Sequence, residues 1–98
     1  MLAGLLGGVP TRPSQNNPER VTNWERWRVT VGNNIRAIRA GKGMTQEALA
    51  LRSGVTRNVL IDVELGKRGI LYERLIDIAD ALGVPVGDLF TEADDAKS

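Results

Sequence analysis

Arg57 and Asn58 stand side by side directly after Thr56, with Val59 and Asp62 following within the next turn. A guanidinium fork and a carboxamide both form two-pronged hydrogen bonds with planar partners, and a carboxylate accepts from amino groups. Taken alone, these residues read equally well as solvated polar groups in the first turn of a helix. Catalytic chemistry has little to work with. The chain contains no Cys and no His, which removes thiol nucleophiles, imidazole bases and zinc sites built on those ligands. Asp77 and Asp80 lie three apart on one helix, a spacing that solvated surface acids share, so no enzyme is expected. Neither a metal nor a cofactor is expected either. The missing cysteines also leave no disulfide, so the core alone must hold the fold, and a cytoplasmic setting is expected.

The net charge of +1 conceals a split along the chain. Residues 1–28 carry four Arg against Glu19 and Glu25. Residues 29–69 hold Arg36, Arg39, Lys42, Arg52, Arg57, Lys67 and Arg68 against Glu47, Asp62 and Glu64. From residue 70 onward, Arg74 and Lys97 face seven acids. The basic middle suits contact with a polyanion, although chance in a small chain produces the same asymmetry.

Elements must position these groups. Residues 1–28 are expected to form a flexible extension, because Pro10, Pro13 and Pro18 and a polar stretch break any period. Met1–Val9 is apolar but too short to span a membrane and lacks the charged start of a signal peptide, so it reads as a leader and no membrane association is expected. Trp24 and Trp27 share one side of a helical turn, and would dock on the body, cover a dimer seam or lead into the first helix; docking is preferred because exposed Trp pairs are disfavoured.

Val31, Ile35 and Ile38 give the apolar stripe of a first helix ending at Gly41–Gly43. Thr45 is placed to cap a second helix, Gln46 to Ser53, that buries Leu49 and Ala50. Gly54 ends it, and Thr56 caps a third helix running to about Leu65 with Gly66 as its stop. A fourth helix over about Leu71–Leu82 buries Leu75, Ile78, Ala79 and Leu82. Pro85 opens a short fifth helix reaching Leu89 or Phe90. The expected class is all-α: one five-helix domain over residues 29–90, with an acidic tail at 91–98.

The stretch QEALALRSGVTRNVLIDVEL, Gln46–Leu65, carries the pattern of a helix-turn-helix. Ala50 is small where two backbones approach, Gly54 tolerates positive φ in the turn, and Leu49, Val55, Leu60 and Val63 wedge both helices onto a core. Ser53 departs mildly, falling where an apolar residue is more usual. With IRAIRAGKGMTQEALALRSGV, VELGKRG and DIADALGVPVGDLF, about residues 31–90 resemble the lambda-repressor-like Cro/repressor family, also called the xenobiotic response element (XRE) family.

That resemblance implies a dimeric transcriptional regulator, most often a repressor, that binds double-stranded DNA by laying its third helix in the major groove. It implies base contacts from Arg57 to guanine, Asn58 to adenine and Val59 to a thymine methyl, with Asp62 accepting from cytosine or orienting Arg57. Phosphate contacts are implied for Gln46, and Lys67 and Arg68 should lie near the duplex backbone, with Asn34 and Arg36 added from the first helix. Arg39 and Glu64 match positions that pair beneath the motif. Pro85, Val86 and Leu89 would face a second copy, although a place in the core is the other reading for Leu89.

Some positions fit less well. Ile61, Leu65 and Ile70 fall where the family more often has polar residues or Pro. With Leu71 they could form an apolar patch that receives Trp24 and Trp27. The alternative function is therefore a protein-interaction or antitoxin-like module on the same fold, with a protein partner engaged through Trp24, Trp27, Ile61 and Leu65.

Overall fold

In a computed structural model, residues 17–92 are described. They form four α-helices and a closing 3-10 helix, with no strand among the described residues. The helices are α1 (Pro18–Gly41), α2 (Gln46–Ser53), α3 (Arg57–Glu64) and α4 (Tyr72–Leu82), followed by the 3-10 helix Val86–Phe90. The expected short fifth helix is thus a 3-10 helix, Val86–Phe90. No described helix is long and apolar enough to cross a membrane. Residues 1–16, with Met1–Val9 and that part of the expected flexible extension, and the tail beyond Glu92 lie outside the described residues.

The helical part of the chain begins well before the boundary expected at residue 29. Pro18 is the first residue of α1, and the Asn17 side chain accepts a hydrogen bond from the Arg20 N–H at 2.9 Å. An N-cap Asn followed by Pro is a strong start signal, because the cap satisfies an orphan amide and Pro has none to satisfy. Pro18 therefore opens a helix instead of breaking one, and residues 18–28 are helical rather than a flexible extension.

The other boundaries follow the same local rules. The Thr45 hydroxyl accepts from the Ala48 N–H at 3.0 Å and the Thr56 hydroxyl from the Val59 N–H at 3.4 Å. Gly54 and Gly83 end α2 and α4 in the left-handed region, at φ 77° and 75°. Ile35, Leu49, Leu60, Ile78, Leu82 and Leu89 are fully buried and form the centre of the core. They come from all four helices and the 3-10 turn, so each element contributes its apolar stripe to one cluster.

α1 is braced at both ends of its buried stretch. Asn34 donates from Nδ2 to the carbonyls of Leu89 and Thr91, each at 2.8 Å. Upstream, the ring of Trp27 tilts against Phe90 with centroids 6.1 Å apart, and Arg26 pairs with Glu92 at 3.0 Å. The sequence thus uses its upstream helix to close over the last described turn of the chain.

Candidate nucleic-acid interface

α2 and α3 are joined through Gly54, Val55 and Thr56. Val55, Leu49, Leu60 and Val63 are buried beneath the pair, and Ala50 is half-buried where the helices meet. Ser53, the unexpected polar residue, is buried. Its hydroxyl accepts from the Val55 N–H at 3.2 Å, satisfying a buried amide inside the turn that an apolar side chain would leave without this partner.

The far end of α3 is locked from below. Arg39 donates from Nε to Glu64 Oε2 at 2.7 Å and from Nη2 to Glu64 Oε1 at 3.0 Å. It also donates from Nη1 to the Met44 carbonyl at 2.8 Å. Gln46 adds a bond from Nε2 to Glu64 Oε1 at 3.0 Å. The Glu64 side chain is only 2% exposed and that of Arg39 14%. This network joins α1, the loop after it, α2 and α3, so orientation of α3 is tied to three other segments. Gln46, expected at the phosphates, is half-buried and committed at least in part to this network.

A second lock was not read from the sequence. Gly32 is buried in α1, where a Cβ would stand 2.8 Å from the Glu64 carbonyl oxygen and closer still to that of Val63. The backbones of α1 and α3 therefore meet directly. A lone Gly inside the helical stripe of Val31 and Ile35 was the available signal for such a close approach.

With its end fixed, α3 presents its start. Arg57 and Asn58 are exposed, and no ion pair or hydrogen bond holds either side chain among the described residues. Val59 and Asp62 are half-buried, and Val59 packs in part against the core. Asp62 does not orient Arg57 in this structure, because five positions along a helix separate two side chains by about 140°. Arg57 lies along a cleft with Arg36, Thr45, Gln46, Ile61 and Leu65. Lys67 and Arg68 are exposed in the loop that follows α3.

Two expected assignments change. Asn34 is removed from the phosphate candidates, since both Nδ2 hydrogens are engaged with carbonyls and its remaining oxygen cannot donate to an anion. Leu89 is removed from the dimer surface, being 0% exposed within the core, whereas Pro85 and Val86 are exposed beside it. Of the expected apolar patch, Ile70 shares one cleft with Trp24 and Trp27 and another with Leu71, which is 72% exposed, while Ile61 and Leu65 line a third.

Comparison with known proteins agrees with this geometry. Residues 35–89 match the helix-turn-helix family HTH_3, and the chain belongs to that family, the XRE group its motif resembles. An uncharacterized HTH-type transcriptional regulator of Sinorhizobium fredii, y4dJ, is 38% identical over 69% of this chain and 88% of its own. The control protein C.BamHI of Bacillus amyloliquefaciens is 36% identical over 63% of this chain and 78% of its own. Among solved structures, the restriction-modification controller protein C.AhdI of Aeromonas hydrophila superposes with a TM-score of 0.63. It is 35% identical and covers 64% of this chain and 96% of that one.

Proposed function

We propose that this protein is a transcriptional regulator that binds double-stranded DNA as a homodimer and acts as a repressor, with α3 in the major groove. The observation that carries the reading is the contrast between the two ends of α3. Its C-terminal end is fixed by the Arg39–Glu64 pair and the Gly32 crossing, while Arg57 and Asn58 at its start are exposed and unpaired. A rigid helix with free two-pronged side chains in its first turn suits reading of base edges.

In this reading Arg57 takes guanine, Asn58 adenine, Val59 a thymine methyl and Asp62 a cytosine amino group. Arg36, Lys67 and Arg68 bind phosphates, and Gln46 binds one with whatever donor capacity Glu64 leaves it. Relatives named as transcriptional regulator and control protein support the same class. One α3 spans a half-site only, so a second copy is required for a two-fold operator; Pro85 and Val86 supply exposed apolar contact for it. Selecting bound duplexes from a random pool tests the proposal. The expected product is a palindrome whose half-site centres lie about 10 base pairs apart. Recovery of no enriched sequence contradicts sequence-specific regulation.

A further inference from the structure

The upstream half of α1 has no part in the helix-turn-helix, yet it is held against the loop that follows α3. Gly66, at φ 75°, sits so close to Val29 that a Cβ there would approach the Val29 side chain to 2.9 Å. One residue earlier on α1, Arg28 reaches Gly69: a Cβ on that glycine would lie 3.7 Å from the Arg28 Nε. From the loop itself, Arg68 donates from Nε to the Gly69 carbonyl at 3.2 Å. Two guanidinium groups from separate elements therefore converge on one glycine.

The cleft they border supplies no carboxylate. It is lined by all four aromatic residues of the chain, Trp24, Trp27, Tyr72 and Phe90, together with aliphatic side chains and the two arginines. Neither Arg28 nor Arg68 makes an ion pair among the described residues. Arg28 is half-buried, its stem among apolar groups and its charge toward the loop. Arg28 is half-buried and Arg68 exposed, and an anion placed between two such like charges relieves their mutual repulsion.

We propose that Arg28 and Arg68 jointly grip one phosphate of the DNA backbone, so that α1 reinforces a phosphate contact made from the loop carrying Lys67. This inference rests on the DNA-binding reading above and adds a residue to it. It also gives the upstream bracing of α1, through Trp27–Phe90 and Arg26–Glu92, a purpose in holding Arg28 at that place.

The test is the salt dependence of binding by the full chain to a duplex of arbitrary sequence, measured for wild type, Arg28→Gln, Arg68→Gln, the double variant and Arg28→Lys. Each phosphate neutralised contributes about 0.9 to the slope of log K against log salt. Arg28→Gln and Arg68→Gln should each lower the slope by about that amount, Arg28→Lys should retain it, and the double variant should lose about one phosphate, not two. A slope unchanged in Arg28→Gln overturns the proposal, including where affinity falls because the helix has loosened. Independent loss of two phosphates in the double variant overturns the shared grip. Failure of the wild type to bind any duplex at low salt would instead overturn the DNA-binding reading itself.

Discussion

Gly32 and Glu64 meet backbone to backbone: a Cβ on Gly32 would stand 2.8 Å from the Glu64 carbonyl oxygen, at the point where α1 crosses the end of α3. The same residue, Glu64, takes two of Arg39's hydrogen bonds through its side chain. Both faces of Glu64 are thus engaged by α1, which makes the placement of α3 depend on a helix outside the motif.

Gly32→Ala should destabilise the domain by about 3 kcal/mol, toward the upper end for overpacking, because carbonyl oxygens of a helix end cannot turn aside as a flexible side chain can. Urea denaturation of the variant measures this. A midpoint equal to that of the wild type would show that the two helices can separate without cost.

Glu64→Ala leaves Arg39, 14% exposed in the wild type, charged and without two of its three hydrogen bonds, and leaves the Gln46 amide without its acceptor. The expected loss is about 3–5 kcal/mol, the range for removing one member of a buried pair. Base preference of the fraction still folded should not change. Thermal melting and duplex selection read the two effects separately, and a folded variant of unchanged melting temperature contradicts the assignment.

Leu89 and Val86 should part company. Leu89→Ala empties a fully buried site and should cost about 2–5 kcal/mol in denaturation. Val86→Glu alters an exposed position and should leave the fold intact while weakening self-association in sedimentation experiments. Undiminished association in Val86→Glu would move the dimer surface elsewhere.

Local chemistry made most of the motif legible. Thr45, Gly54 and Thr56 mark boundaries by caps and a positive φ, which act within a few residues, and Leu49, Val55, Leu60 and Val63 are buried as their spacing predicts. The errors arose where a partner is distant or a residue has two local meanings. Asn34 looked like a surface donor because its acceptors lie 55 and 57 residues away. Pro18 both breaks and begins helices, and only Asn17 before it decides which. Leu89 and Phe90 both fit the core at the end of the chain, and the tight 3-10 turn sends Leu89 inward and leaves Phe90 42% exposed against Trp27.

The exposed, unpaired side chain of Arg57 is the feature on which sequence reading by α3 most depends. Binding of wild type and Arg57→Ala to a selected operator and its single-base variants, at one fixed salt concentration, tests it directly. The expected loss is about 1–3 kcal/mol, confined to one guanine in each half-site, with melting temperature and affinity for unrelated DNA nearly unchanged. Discrimination in Arg57→Ala as sharp as in the wild type would contradict it.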